Sequence, residues 1–143
     1  DLVTDLQPFL DSFAKAGAVF SGIRSEPEPS APLVAESPAR ARADAAGPCI
    51  GCAVCWSACD VGVWQPGYLG PAALDRAWTL VNDARHAERD ATAERASGSG
   101  GCHACHSQGS CARHCPVGID PTQGIAGLKR LSLTRLLRRG AVP

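Results

Sequence analysis

Length, composition and charge narrow the classes of protein to which this chain can belong. It has 143 residues, no formal net charge and eight cysteines, but only three Phe, three Trp and one Tyr. A chain of this length forms one small domain, and so few aromatic side chains fill only a limited core. Zero net charge gives no support for a nucleic-acid partner. No stretch approaches the roughly 20 apolar residues of a membrane-spanning helix.

The first 48 residues predict one helix and then a connector. Thr4 or Asp5 can cap a helix start, and the helix is expected to end near Gly17. The apolar residues at helical spacing between these points are Leu6, Phe9, Leu10 and Phe13. From about residue 21 to 48 the chain holds five prolines and almost no large apolar side chains. We therefore expect an extended or weakly ordered connector that becomes ordered only against a partner.

The remaining residues, 49–143, predict a helical domain. Pro71 follows Gly70 and is well placed to begin a helix, and Asp120 can cap a last helix that begins at Pro121. The expected apolar stripes are Leu74, Ala77, Trp78 and Val81 in the first helix, and Ile125, Leu128, Leu131 and Leu136 in the second. Residues 87–101 are polar and then glycine-rich, which favours a flexible segment. No strand pattern is present, so the predicted fold is all-α with an extended N-terminal arm.

Seven of the cysteines follow one repeated ligand pattern. The first run has the spacing C-x2-C-x2-C-x3-C of bacterial-type ferredoxins and consists of Cys49, Cys52, Cys55 and Cys59. The second run has the same frame with glutamine in place of its second cysteine, and consists of Cys105, Gln108, Cys111 and Cys115. The i, i+3 spacing suits a short helical turn around a cluster. The pattern therefore predicts two iron–sulfur centres.

Tandem runs of this kind cross over, because the fourth cysteine of each run binds the cluster of the other run. The first centre, a [4Fe-4S] cluster, would then be held by Cys49, Cys52, Cys55 and Cys115. The second would be held by Cys59, Cys105 and Cys111, which leaves it one ligand short. A cluster with three cysteines most simply lacks its fourth iron. We therefore expect a [3Fe-4S] cluster beside the first, as the next step of an electron path.

Other uses of the cysteines compete with this interpretation. A disulfide framework would suit a secreted chain, but no signal-peptide pattern is present. Two structural zinc sites would use C-x2-C pairs, but zinc has no use for the third and fourth cysteine of each run. The segment from Cys102 to His106 spells the C-x-x-C-H of c-type haem attachment. The longer frame already uses Cys105, and the chain has no methionine as a second axial ligand, which would leave that role to His86, His103 or His114. Cys102 is then a spare thiol near the cluster.

The same segments resemble the iron–sulfur subunit of succinate dehydrogenase and fumarate reductase, respiratory complex II. The resemblance covers residues 49–59, 68–72 and 105–121, and it reaches back to residues 1–6, which look like the link after the family's first domain. The vacated ligand position is itself a trait of the family. The resemblance implies a helical dicluster domain of the alpha-helical ferredoxin type at 49–143, preceded by the helix and connector at 1–48. The family's [2Fe-2S] domain is absent, so we expect a fragment or a subunit split between two polypeptides.

Two positions depart from the family's pattern. Asp60 stands where the family has proline, and Val63 precedes Trp64 where the family has two tryptophans. The family's quinone pocket matches Trp64 and His106, so the resemblance implies that these two residues bind a quinone. Without the resemblance, Trp64 would be a core or interface aromatic and His106 a hydrogen-bond donor to a cluster sulfur.

The resemblance implies electron transfer within a succinate:quinone oxidoreductase. Electrons would arrive from a flavoprotein (FAD) subunit through a separate [2Fe-2S] polypeptide, and they would leave to a quinone beside membrane-anchor subunits. This chain would have no catalytic residue and no dicarboxylate site of its own. It would lie peripherally on the matrix face of the mitochondrial inner membrane, or on the cytoplasmic face of a bacterial inner membrane.

Two other functions remain open at this point. A heterodisulfide-reductase-like or glycolate-oxidase-like subunit uses a similar helical dicluster domain, although a cysteine would then be expected at position 108. A zinc-stabilised adaptor module would need no redox centre. The basic last helix suits contact with anionic lipid or acidic anchor subunits, or else a solvated face; its basic residues are Lys129, Arg130, Arg135, Arg138 and Arg139.

Overall fold

The structure is a computed structural model that describes residues 3–23 and 36–140. Within these residues it contains helices and no strand, apart from one isolated bridge between Gly22 and His86. The helices are α1 (Gln7–Lys15), α2 (Pro38–Ala43), α3 (Val54–Ser57), α4 (Asp60–Trp64), α5 (Pro71–Asn82), α6 (Arg89–Ser97), α7 (Ser110–Arg113) and α8 (Pro121–Gly140), with a 3-10 turn (Cys102–Ala104) before α7. The predicted all-α fold is confirmed for this part of the chain. None of these helices has the length and apolar character needed to cross a bilayer.

Helix α5 is the centre of the fold. Helices α6 and α8 pack along it, and α1 and α2 also contact it. Pro71 begins α5 as predicted, since its ring fixes a helical φ and its missing N–H would have had no partner there. The stripe residues that are fully buried in the shared core are Leu74, Ala77, Ile125 and Leu128. These side chains hold α5 and α8 together and so position the segments at either end of them.

Helix α8 begins as predicted, but its apolar stripe does not stay buried. The backbone N–H of Thr122 donates to Asp120 Oδ1 at 3.0 Å, which is the expected cap. Leu136, however, is 68% exposed, so the predicted stripe does not stay buried along the whole helix. Helix α8 has 20 residues and α5 has 12, so at a rise of 1.5 Å per residue α8 is about 12 Å longer than the helix it packs on.

Helix α1 ends where the sequence predicts. Gly17 adopts a left-handed φ of +65°, and the Ala18 N–H donates to Phe13 O at 2.8 Å, which closes the helix end. Phe9 is buried, whereas Leu6 and Leu10 are exposed, so only part of the predicted apolar face meets the core. The Phe9 ring lies edge-on to Trp56, with 6.0 Å between ring centroids. Helix α1 therefore reaches the first cysteine run.

The predicted connector is partly wrong. Residues 24–35 lie outside the described residues, but 36–48 are ordered against the chain's own α5. Ser37 Oγ accepts from the Arg40 N–H and caps α2, and the Ala46 N–H donates to Thr79 Oγ1 on α5 at 3.3 Å. Small alanine side chains allow this close packing, since Ala43 and Ala46 are buried. Alanine and arginine are good helix formers, so α2 needs no external partner to form.

Buried His86 holds the segment that follows α1. Its Nδ1 accepts from the Ser21 N–H at 3.1 Å, which leaves Nε2 to donate to Thr92 Oγ1 at 3.1 Å. Thr92 Oγ1 in turn donates to Gly17 O at 3.1 Å. This chain of hydrogen bonds joins α1, the α5–α6 loop and α6. It occupies both ring nitrogens, so the alternative use of His86 as a haem ligand has no support.

The segment 87–101 is not the flexible approach that its composition suggested. Residues 89–97 form α6, which buries Thr92, Ala93 and Ala96. The glycines after it are packed: a Cβ on Gly100 would overlap the carbonyl oxygen of Gly67, and the Leu69 N–H donates to Gly100 O at 2.8 Å. Gly100 thus serves close backbone approach at a φ of +69°. This contact fixes residues 67–69 against the start of the second cysteine run.

Candidate metal centres

The seven cysteines of the two runs line two cavities. The first cavity is lined by Cys49, Cys52, Cys55 and Cys115. The second is lined by Cys59, Cys105 and Cys111, together with Gln108 and His106. Each cavity therefore draws cysteines from both runs, in the crossed arrangement that the spacing predicts. All eight cysteines are free thiols.

The loops that carry the two runs share one backbone geometry. In the first loop Gly51 and Ala53 have φ values of +67° and +59°, and α3 begins directly after them. In the second loop Ser107 and Gly109 have φ values of +59° and +77°, and α7 begins directly after them. These residues lie two and four positions after the first cysteine of each run. The repeated left-handed turns curl each loop around its cavity, and Gln108 occupies the position that Cys52 holds in the first loop.

The two cavities adjoin each other. Helix α3, which carries Cys55, packs against α7, which carries Cys111. These two cysteines are close enough for charge on Cys111 to raise the pKa of Cys55. Groups bound in the two cavities would therefore be neighbours.

Burial and mutual repulsion raise the pKa of two of these thiols, Cys55 and Cys111. Burial is the main cause that raises the pKa of Cys55 to about 11, and charge on Cys49, Cys111 and Cys52 adds to the rise. Burial also raises the pKa of Cys111 to about 11, with charge on Cys105 and Cys59 adding to it. Thiolates gathered in this way need a cationic partner, and iron atoms supply that charge while displacing the protons.

Backbone N–H groups point at the sulfur atoms. The Ile119 N–H donates to Cys115 Sγ at 3.2 Å, and the Ser107 N–H donates to Cys105 Sγ at 3.4 Å. The N–H of Ala72, in the first turn of α5, also faces Cys55 and partly offsets the rise of its pKa. Donors of this kind stabilise thiolate ligands and tune the potential of an iron–sulfur centre.

One buried polar atom without a partner lies at each cavity. Tyr68 lines the second cavity, and its hydroxyl has no hydrogen-bond partner among the described residues. Burial and the charges of Cys105 and Cys59 raise the pKa of Tyr68, so the hydroxyl remains a donor. Asp75 lines the first cavity, and its Oδ1 is likewise unpartnered within the described residues. A buried donor facing sulfur ligands fits a bound group that carries acceptor sulfurs.

The donor set fits iron–sulfur clusters. Four thiols surround the first cavity and three surround the second, with backbone donors directed at their sulfurs. Within residues 3–23 and 36–140, no three His, Cys, Asp or Glu side chains meet in the arrangement that holds a single metal ion. The cysteines border their cavities rather than converge on one point.

Comparisons with known proteins identify the family. A family model described as a 4Fe-4S dicluster domain matches residues 48–120. The chain belongs to this family.

The curated relatives of this dicluster protein are iron–sulfur subunits. It is 29% identical over 134 residues to succinate dehydrogenase [ubiquinone] iron-sulfur subunit 1, mitochondrial, of Oryza sativa subsp. japonica, which covers 93% of this chain and 48% of the relative. It is 31% identical over 141 residues to the succinate dehydrogenase iron-sulfur subunit of Paracoccus denitrificans, covering 96% of this chain and 52% of the relative. It is 33% identical over 95 residues to the fumarate reductase iron-sulfur subunit of Mycobacterium tuberculosis, covering 66% of this chain and 38% of the relative. The chain thus spans about half the length of these relatives, and the resemblance to their family is confirmed.

The two residues expected to bind a quinone in this dicluster protein differ in their surroundings. His106 lines the second cavity beside Cys105. Trp64 ends α4 and is 84% exposed, and it is not among the residues that line the two cysteine-lined cavities. The pair therefore consists of one residue at the second cavity and one on the open surface.

Cys102 does not reach either cavity. It is fully buried in the hydrophobic core, and Cys59 and Cys105 pack against that core from its edge. Burial raises the pKa of its thiol. A fully buried Cys102 offers no attachment point for a haem. Its position in the core that Cys59 and Cys105 border agrees with the prediction of a spare thiol near the second centre.

Sequence reasoning missed Tyr68 and Asp75. Asp75 carried a signal, because an acidic residue on the apolar face of α5 is unexpected in a core. Tyr68 carried none, since a single tyrosine between a glycine and a leucine fits any buried loop. A hydrogen bond also connects Lys129 to the second centre, since its Nζ donates to Cys105 O at 2.7 Å.

Proposed function

We propose that this chain is the electron-transfer subunit of a succinate:quinone oxidoreductase. It would take electrons from a flavoprotein (FAD) subunit through a [2Fe-2S] ferredoxin domain, expected above on a separate polypeptide. It would pass them through a [4Fe-4S] and a [3Fe-4S] cluster to a membrane quinone at the anchor subunits. The observation that carries the proposal is the pair of adjoining cavities, each lined by cysteines of both runs.

The ligands follow from the lining of the cavities. In the proposal, Cys49, Cys52, Cys55 and Cys115 hold the [4Fe-4S] cluster. Cys59, Cys105 and Cys111 hold the [3Fe-4S] cluster, because Gln108 stands where the second cysteine of that run is expected. The clusters, when bound, supply one-electron chemistry at two neighbouring points.

The chain's own residues set the conditions at the two points. Helices α3 and α7 hold Cys55 and Cys111 next to each other, which keeps the two centres close. Lys129 and Tyr68 direct positive charge and a hydroxyl donor toward the second centre. Both favour the more negative, reduced state there, so they favour electron flow from the first centre to the second.

The quinone would bind next to the second centre, on the side of the molecule that presents Trp64. The exposed indole N–H of Trp64 is a donor that can hold a quinone carbonyl, and His106 adjoins the ligand Cys105 and can supply a proton. Peripheral attachment to the matrix face of a mitochondrial inner membrane, or to the cytoplasmic face of a bacterial one, would bring this surface to the membrane.

The cofactors are tested on the purified chain or complex. Iron and sulfide analysis should give one [4Fe-4S] and one [3Fe-4S] cluster, and the oxidised protein should show the EPR signal of a [3Fe-4S] centre. Stoichiometric zinc without sulfide would instead establish the adaptor function. Two [4Fe-4S] clusters would contradict the ligand assignment at Gln108.

The quinone is tested in the assembled complex. Trp64→Phe keeps the ring and removes only the donor, so quinone reduction should slow several-fold, as expected for the loss of one hydrogen bond of about 0.5 to 1.5 kcal/mol. Dye reduction at the flavin and both EPR signals should be unchanged. Val63→Ala, next to it and also exposed, is the matched control. Unchanged quinone kinetics in both Trp64→Phe and His106→Ala would refute the pocket.

A further inference from the structure

A polar cleft lies away from the two cysteine-lined cavities. It has a volume of about 590 Å³ and lies between α5, α6 and α8, with α2 at one edge. Four arginines from three of these helices line it: Arg42, Arg89, Arg130 and Arg135. Its size is that of a small-molecule site, and neither the cysteine runs nor the quinone proposal uses it.

The cleft carries an uncompensated positive charge. Asp90 is the one acidic residue in its lining, and it is paired with Arg135 through an ion pair. No carboxylate among the described residues pairs with Arg42, Arg89 or Arg130. Three guanidinium groups therefore share one cleft in a chain whose formal net charge is zero.

Three arginines outside the cleft are each paired with an acidic neighbour. Arg40 pairs with Asp44, Arg85 with Asp83 and Arg95 with Glu88. Helix α2 shows the contrast directly, because Arg40 has a partner on its own helix end, whereas Arg42 faces the cleft without one. The cleft thus gathers three arginines that lack the acidic neighbour of Arg40, Arg85 and Arg95.

The floor of the cleft is rigid. The Trp78 ring lies against Gly124 and Gly127 of α8, where a Cβ on Gly127 would lie 2.6 Å from the ring carbons. Asn82 Nδ2 donates to Trp78 O at 2.8 Å, which fixes this side chain as well. The arginines therefore surround a fixed aromatic and amide surface.

We propose that this cleft binds a phosphate-class anion. Guanidinium groups match phosphate oxygens in bidentate pairs, and a dianionic phosphoryl group or a pyrophosphate can engage several of them at once. A single carboxylate would leave most of the charge unpaired. The phosphoryl group could belong to a soluble phosphate compound or to a phospholipid headgroup, since the cleft chemistry is the same for both.

The test uses the cluster-loaded full chain with two kinds of probe. Pyrophosphate and inorganic phosphate are titrated while the thermal unfolding midpoint and the 31P linewidth are measured, against KCl at matched ionic strength. Phosphatidylcholine vesicles with and without phosphatidylglycerol are used in a sedimentation assay. The variants are Arg89→Gln and Arg130→Gln, and the matched control is Arg138→Gln, an exposed arginine of α8 outside the cleft. EPR verifies the clusters in every variant.

Saturable pyrophosphate binding that weakens roughly tenfold or more in the two cleft variants, and not in Arg138→Gln, would support a soluble ligand. Binding only to the anionic vesicles, with the same dependence on the variants, would support a lipid headgroup. The proposal is overturned if KCl reproduces the effect, or if Arg138→Gln weakens binding as much as the cleft variants do. These readouts do not depend on succinate or quinone, so they are separate from the tests above.

Discussion

Gln108 occupies a position that the backbone has prepared for a thiol. The loop around it repeats the left-handed turns of the first loop, in which Cys52 stands at the equivalent position. We therefore expect Gln108→Cys to complete a four-cysteine site and to convert the second centre to [4Fe-4S], with loss of the oxidised [3Fe-4S] EPR signal. Gln108→Ala is the control and should keep the signal. Full signal intensity in correctly assembled Gln108→Cys would sink the ligand assignment.

Tyr68 should raise the reduction potential of the second centre. Its buried hydroxyl faces the sulfur ligands and has no partner among the described residues. Tyr68→Phe removes a hydrogen bond of about 0.5 to 1.5 kcal/mol, which corresponds to a decrease of roughly 20 to 65 mV for a one-electron couple. EPR-monitored redox titration measures this decrease in potential, and the potential of the first centre is the internal control. An unchanged potential would show that the hydroxyl does not reach the cluster.

Asp75 should make the stability of the fold depend on pH near neutrality. Burial, followed by the charge of Asp120, raises its pKa to about 7, above the unfolded value of about 3.9. The folded state therefore binds a proton that the unfolded state releases, and this contribution to stability is lost as the pH rises through 7. We expect a loss of about 1 to 2 kcal/mol between pH 6 and pH 8.

Asp75→Asn removes the titrating group at nearly constant shape. The difference between the free energies of unfolding at pH 6 and pH 8 should then shrink by that amount, as measured by denaturant titration. Parallel pH profiles for the two proteins would show that Asp75 stays ionised in the fold.

The cysteine spacing was enough to predict both sets of residues that line the cavities, because ligand spacing is a local property of the chain. Tyr68 and Asp75 act through burial, which depends on how α5 meets the loops. His106 lies at the second cavity, whereas the exposure of Trp64 depends on how α4 turns after Cys59. Cysteine spacing therefore predicts candidate metal ligands better than residue identity predicts the neighbouring groups that tune a cluster's potential.

At the scale of elements, the close backbone contact between Gly100 and Gly67 should make the stability of the fold sensitive to a side chain at position 100. A Cβ there would overlap Gly67 O, at a φ of +69°. Gly100→Ala should lower the free energy of unfolding by about 2 to 4 kcal/mol, from left-handed strain and overpacking together. Gly62→Ala is the control, since nothing lies within 4 Å of its Cβ position. Equal stability of the two variants, measured by thermal unfolding, would contradict the close contact between Gly100 and Gly67.

Helices α2 and α6 were missed because neither shows an apolar stripe. Their buried faces consist of alanine and threonine, such as Ala43, Ala93 and Thr92. Periodicity arguments weigh large apolar residues, whereas close helix packing uses small ones. Helices α5 and α8 were predicted because leucine and isoleucine mark their shared face.

For the whole molecule, removal of the clusters should loosen the segments around the two cavities more than the core shared by α5 and α8. The aromatic side chains are few, and cysteines of residues 49–59 meet cysteines of residues 105–115 at the two cavities. Chelation after oxidation should raise amide hydrogen exchange in α3, α4 and α7, while α5 and α8 keep more protection through their shared core. Cys102→Ala is the control, because it should leave both clusters intact. Unchanged exchange after iron loss would show that the cavities are preformed.

The crossed arrangement also has a consequence for biosynthesis. The first run leaves the ribosome before the second, but its cavity lacks Cys115 until that later segment has been translated. Cys59 likewise waits for Cys105 and Cys111. In this arrangement the second centre cannot be completed before Cys111 has been translated, and the first cannot be completed before Cys115. Translation that stalls between the two runs would therefore leave the cysteines of the first run without the partners that complete either cavity.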